Sequence, residues 1–233
     1  MASKIYEVYK KEINRIKSDS NTVSIFLVGS AKHINENTAD EDINDIDIFV
    51  FINVGNDQER DIKNIDGVEF DINYFSRKGF KNLIYSKEYF FLKAMKDADI
   101  VFDRNNNAID IIDLCKLKYL EGPGKISENE RYFIKSEMES NIKKLKNKEN
   151  YEEFEYYFLA ALFLKELLLG YFTINNIWIP KDKNIFKELK KENKKLYNLV
   201  IEINKENIYE KMLEIYNYIF DGIAFKNHIK INY

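Results

Sequence analysis

The chain has 233 residues, 45% hydrophobic and 32% charged, with a net charge of −3. That length has room for one large core or two small ones, and the composition lacks the basic excess of a nucleic-acid-binding surface. A single cysteine, Cys115, excludes an internal disulfide, and two distant histidines, His33 and His228, leave no His-rich metal signature and little basis for a Ser-His-Asp or Cys-His site. No stretch reads as long and apolar enough to span a bilayer, and the N-terminus lacks the apolar core of a signal peptide. The expectation is a cytoplasmic protein with no membrane partner. Excess acid concentrates in the first half, much of it between Glu36 and Asp47, where a cation-binding site is therefore expected.

In chain order, Ile5, Val8, Tyr9, Ile13 and Ile16 recur at helical spacing and predict a helix over 4–17. Residues 23–28 are an apolar run that ends in Gly29-Ser30 and reads as a buried strand. Residues 31–44 form a polar, acidic loop, 46–52 a second strand, and 68–75 a third, in which polar and apolar residues alternate. Residues 77–96 look helical, 99–103 form a short fourth strand, and 107–120 another helix, in which Cys115 is a small buried hydrophobe. Glu121-Gly122-Pro123-Gly124 then interrupts the pattern and marks a boundary between domains 1–122 and 126–233. Beyond it, Ser127 and Glu130 form a capping box that opens a helix. Residues 151–169 form a second helix, apolar on most faces and ended by Gly170. A segment containing Trp178-Ile179-Pro180-Lys181 and two or three amphipathic helices complete the chain. The expected fold class is α+β: a mixed sheet flanked by helices, followed by a helix bundle.

The chemistry concentrates in Asp45-Ile46-Asp47. Residues two apart on a strand share a face, so the two carboxylates project together while Ile46 turns inward. Their mutual repulsion costs energy unless a cation sits between them. Mg²⁺ suits such a site, because it takes oxygen ligands and commonly uses one or two carboxylates with phosphate oxygens. Asp71 lies in a strand between apolar neighbours. If that strand pairs beside Asp45–Asp47, three acids converge and can serve two-metal phosphoryl chemistry. Gly29 lets the backbone approach a phosphate closely, and the Ser30 hydroxyl with the following amides can bind phosphate oxygens.

Leu27-Val28-Gly29-Ser30, Asp45-Ile46-Asp47 and Glu69-Phe70-Asp71 together resemble the signature of the polymerase-beta-like nucleotidyltransferase superfamily, over roughly residues 1–120. The helical half is similar in layout to the antibiotic adenylyltransferases of the streptomycin/spectinomycin and kanamycin types. Leu168-Leu169-Gly170 followed by Ile179-Pro180-Lys181-Asp182 looks like a helix–Gly–Pro-Lys passage whose lysine reaches the nucleotide phosphates. The resemblance implies that Asp45 and Asp47 bind Mg²⁺, that Gly29 and Ser30 hold the triphosphate of ATP, and that Asp71 is either a third metal ligand or the general base. Lys181 is implied at the phosphates. Glu137 and Glu139 are fallback bases, and Trp178 is a candidate to stack on a ring. Two departures stand out. Fourteen residues separate Ser30 from Asp45, a somewhat longer linker whose acidic stretch 35–42 could cover the site. Asn44 occupies a position where those enzymes often have serine, and its amide could supply the same contact.

The implied activity is transfer of a nucleoside monophosphate, AMP from ATP first, to a hydroxyl of a small acceptor such as an aminoglycoside or lincosamide. A transferase acting on a protein or a tRNA end, as in toxin–antitoxin systems, is the alternative, and a non-catalytic nucleotide-binding relative is a third. The basic run 143–148 reads as a solvated helix face, so the sequence offers little for a nucleic-acid partner.

Overall fold

The computed structural model describes residues 3–39, 41, 43–224 and 226. His228 and two residues of the acidic linker, Asp40 and Asp42, lie outside that set. The chain divides into two compact units, Met1–Glu121 and Gly122–Tyr233.

In the first unit, helix α1 (Lys4–Ser18) leads into β1 (Thr22–Val28), every residue of which is buried. A 3-10 turn, Gly29–Ala31, follows, then β2 (Asp45–Ile52), β3 (Gln58–Ile65) and β4 (Val68–Ser76). Helices α2 (Arg77–Tyr85) and α3 (Tyr89–Met95), strand β5 (Asp99–Asp103) and helix α4 (Ala108–Leu120) complete it. The five strands form one sheet in the order β3-β4-β2-β1-β5. The β2–β4 pair is parallel and the other pairs are antiparallel. The expected 77–96 helix is two helices, because Lys87 takes a left-handed φ of 57° between them.

Strand alternation sorts the sheet's side chains into two layers. Ile25, Leu27, Ile46, Ile48, Val50, Phe70 and Ile72 face α1 and join Ile5, Val8, Ile13 and Ile16 in one core. On the other face Phe49, Phe51 and Phe75 pack edge-on and stacked against Phe80 and Phe91 of α2 and α3, with ring centroids 4.9–5.7 Å apart among the closer pairs. Cys115 is fully buried, and burial pushes its thiol up to about 12, so it holds no thiolate at neutral pH.

One buried charge ties α1 to the sheet edge. Glu12 is 4% exposed; its Oε1 accepts from Arg15 Nη2 at 2.6 Å and lies 2.8 Å from Nζ of Lys63 on β3. Burial alone would raise the Glu12 pKa, but hydrogen bonds and charge from Arg15 and Lys63 outweigh it and leave it below 4.5. A folded pKa below the unfolded one means stability that is present above pH 4.5 and is lost as pH falls through the lower folded value. Lys63→Met removes one of the two partners of a buried carboxylate. We expect a loss of about 2 kcal/mol at pH 7, less than for a fully enclosed pair because Arg15 remains. In urea titrations the loss should shrink as pH falls below 4.5; a loss that stays constant with pH would assign it to packing instead.

The second unit comprises α5 (Glu128–Lys144), α6 (Glu153–Ile174), α7 (Ile185–Glu192), α8 (Lys194–Ile201) and α9 (Ile208–Ile219). Both halves of the Ser127–Glu130 capping box form. Helix α6 runs through Gly170 and ends four residues later, which corrects the expected stop there. Gly170 is buried, and a Cβ on it would lie 3.4 Å from Ile134 Cγ2. The glycine thus lies inside the helix where α6 meets Ile134 of α5, and is not its C-cap. Tyr156, Phe163, Tyr171 and Phe172 enter the bundle core with Met212 and Ile215. Helix α6 also corrects the expectation about membrane spans: it is long and apolar enough to cross a bilayer by length and composition, with mean hydropathy 1.6. Its buried residues pack into the bundle core, as the central helix of a bundle requires.

Candidate active site

Register places the acids. In the parallel β2–β4 pair, Asp47 lies opposite Asp71 and Asp45 opposite Glu69. Asp45, Asp47 and Asp71 share the sheet face of Phe49 and Phe75, at positions beyond the aromatic layer.

The Gly-Ser turn sits directly against this face. Val28 is the antiparallel partner of Asp47, so the chain leaves β1 beside that carboxylate. Gly29 takes φ +73°, and a Cβ placed on it would lie 2.1 Å from Asp47 Oδ2. Only glycine meets both conditions, the left-handed backbone and the missing volume. The Ser30 hydroxyl donates to Asp45 Oδ1 at 3.4 Å. The turn is anchored on its far side, where Asp99 Oδ2 accepts from the His33 backbone N–H at 2.7 Å. Asn44 is exposed next to Asp45 in the chain.

Asp71 is engaged differently from the other two. Arg60 of β3 donates from Nε to Oδ1 at 2.8 Å and from Nη2 to Oδ2 at 2.7 Å. Asn73 Nδ2 donates to Oδ1 at 3.0 Å, and Asn73 in turn accepts from Gln58 Nε2 at 2.9 Å. Hydrogen bonding to Asp71 and its charge, with a smaller contribution from Asp47, raise the Arg60 guanidinium above its ordinary value. Sequence reasoning missed Arg60, Gln58 and Asn73.

Among the described residues, no three His, Cys, Asp or Glu side chains are gathered so that together they could hold a metal ion. The expected three-carboxylate convergence is therefore not a closed protein cage, and the reason is visible in the Arg60 fork on Asp71. The donor set still fits Mg²⁺ in the mode that small, hard ion prefers, one or two carboxylates completed by phosphate oxygens and water. Asp45 and Asp47 could supply such a pair, and the residue beside Asp47 at the turn is a glycine with no side chain.

The remaining candidates lie in the second unit. Lys181 is exposed after buried Pro180. The following turn is tethered to α6 by a 2.7 Å ion pair between Lys165 and Asp182. Trp178 is half-buried and Glu137 exposed. Glu139 pairs with Lys143 one turn along its own helix at 2.8 Å. A cavity of about 510 Å³ opens where β2 and β4 end, lined by Asn53, Gly55, Arg77, Lys78 and Lys81 among others. It is basic and none of the three aspartates lines it, so it is separate from the acid face.

No protein-family model matches the chain. No curated protein matches it either. Among solved structures, the chain is similar to a nucleotidyltransferase-like protein from Exiguobacterium sibiricum 255-15, with a TM-score of 0.50 and 12% sequence identity over 91% of this chain and 73% of that one. The fold is thus nucleotidyltransferase-like: a five-stranded mixed sheet with flanking helices, followed by a helical part.

Proposed function

We propose that the first unit is the catalytic domain of a Mg²⁺-dependent nucleotidyltransferase. The observation that carries this reading is the seating of the Gly29-Ser30 turn on the Asp45–Asp47 pair, with no room for a Cβ between Gly29 and Asp47. A turn that presents backbone amides and a hydroxyl beside two same-face carboxylates suits a triphosphate that arrives with its counter-cation. The nucleotidyltransferase-like fold supports the same reading.

In this reading Ser30 and the turn amides bind phosphate oxygens, while Asp45 and Asp47 would hold Mg²⁺. When bound, that ion neutralises phosphate charge during displacement. An acceptor hydroxyl oxygen forms a bond to the α-phosphorus, the bond from that phosphorus to the bridging oxygen breaks, and pyrophosphate leaves. The hydroxyl proton passes to a base; Asp71, once released from Arg60, is proposed either as that base or as a third carboxylate for the ion. ATP is the proposed donor and a small molecule the proposed acceptor. The acidic first half suits a cationic acceptor such as an aminoglycoside.

Thermal unfolding with ATP, GTP, CTP and UTP, each with and without Mg²⁺, tests the reading. Ligand at about a hundred times its Kd adds roughly 2.7 kcal/mol, a rise of several degrees for a chain of this size. The rise should require Mg²⁺ and vanish in Asp47→Asn, whose own melting should stay near wild type. A nucleotide-induced rise undiminished in Asp47→Asn would sink the assignment, as would the absence of any rise with all four nucleotides.

A further inference from the structure

One arginine occupies both oxygens of the third aspartate. The Arg60–Asp71 fork has two hydrogen bonds under 2.9 Å, the bidentate geometry that fits guanidinium to carboxylate. The two ends differ in access: the Asp71 side chain is 19% exposed and that of Arg60 is 56% exposed. Asn73 also donates to Oδ1 of the carboxylate and is itself held by Gln58. Asp71 therefore sits in a fixed place, while the guanidinium reaches it from an edge strand open to solvent.

A guanidinium keeps its charge at any pH that the fold tolerates, so no proton transfer can open this pair. Two events can: a second cation competing for Asp71, or an anion competing for Arg60. The Arg60 end of the fork is open to solvent, so a competing anion reaches it without displacing packed side chains. Both competitors arrive together when a cation-bound triphosphate enters.

Resting on the reading of Asp45 and Asp47 as a cation site, we propose that Arg60 is a resident counter-cation for Asp71. It keeps the third carboxylate engaged, and hands it over when a triphosphate draws the guanidinium away. Arg60 is thus a positioning residue that acts through Asp71, and the ligand class that releases it is an oligophosphate. Without phosphate the cation site then rests on Asp45 and Asp47; with phosphate it gains Asp71.

Mn²⁺ binding to the full chain, followed by water-proton relaxation, tests this without any turnover. Arg60→Gln should bind Mn²⁺ about fivefold more tightly than wild type in the absence of nucleotide, the factor expected from removing one exposed competitor. Arg60→Lys, which keeps the charge but loses the fork, should fall between the two and serves if the glutamine variant folds poorly. Adding a non-hydrolysable ATP analogue should close the gap between Arg60→Gln and wild type. Lys78→Gln removes the same charge elsewhere in the unit and should leave Mn²⁺ affinity unchanged. An equal gain in Lys78→Gln would reduce the effect to net charge and overturn the proposal. Equal Mn²⁺ affinity in Arg60→Gln and wild type, with binding still lost in Asp47→Asn, would overturn the role of Arg60 and leave the cation site standing. No Mn²⁺ binding by any variant would overturn both.

Discussion

Gly29→Ala should abolish the Mg²⁺-dependent nucleotide response while leaving most of the fold intact. Two costs fall on the new methyl group. At φ +73° an L-residue loses about 1–2 kcal/mol relative to its ordinary backbone. The methyl would also lie 2.1 Å from Asp47 Oδ2 and 3.1 Å from Cγ, well inside contact distance. The clash is with the end of a short side chain, so the protein relieves it by turning the Asp47 carboxylate aside instead of parting β1 from β2. Stability should therefore fall by only about 1–2 kcal/mol, mostly from the backbone term, whereas the site loses the position of one of the two carboxylates proposed to bind the cation. Nucleotide-dependent melting should show a lowered baseline and no Mg²⁺-dependent rise. A variant that melts lower yet keeps the full rise would mean that Asp47 at this position is not part of the nucleotide site.

How much of this arrangement the sequence discloses depends on burial. β1 and β2 are legible because most of their residues are apolar and buried, and β4 because polar and apolar residues alternate along its first half. β3 is not: Gln-Glu-Arg-Asp-Ile-Lys-Asn-Ile is mostly exposed at the sheet edge, and charged residues are how an edge strand avoids pairing with other chains. The missed signal was Asp66-Gly67. Both residues have positive φ, 53° and 90°, and Ile65 pairs with Val68 across them. That is a two-residue hairpin of the kind Asp-Gly favours. Missing it hid Arg60, and with it the partner of Asp71. The Gly170 error has a related cause. A glycine after a long apolar helix reads as a stop, but here α6 continues past it because Tyr171, Phe172 and Ile174 are themselves buried in the bundle core. The acids at positions 45, 47 and 71 were legible as a pattern because strand alternation is strict. What each one touches is set by the neighbouring strand, which local sequence does not specify.

Gly79→Ala should be the most destabilising single methyl addition in the first unit, and its sign makes it a sharp test. Gly79 is the third residue of α2, where its amide donates to the capping hydroxyl of Ser76 at 3.1 Å. Propensity alone favours alanine over glycine in a helix by about 1 kcal/mol. Here, however, a Cβ would lie 1.8 Å from the Asp57 carbonyl oxygen and 2.5 Å from its carbon. These are backbone atoms, so no rotamer relieves the clash; either α2 or the segment entering β3 must move. That segment is held from the other side as well, since Asn21 clasps Val54 with two hydrogen bonds, at 2.6 and 2.9 Å. Overpacking against a fixed backbone costs about 1–3 kcal/mol, enough to reverse the propensity gain and lower Tm by several degrees. Because β3 carries Arg60 directly after this segment, the same displacement should loosen the Arg60–Asp71 fork. Mn²⁺ affinity in Gly79→Ala should then shift toward that of Arg60→Gln even though no charge has changed. A stabilised Gly79→Ala would show that the β2–β3 connection does not rest on α2. A destabilised variant with wild-type Mn²⁺ affinity would show that the fork is set by β4 and its Asn73, independently of where β3 begins.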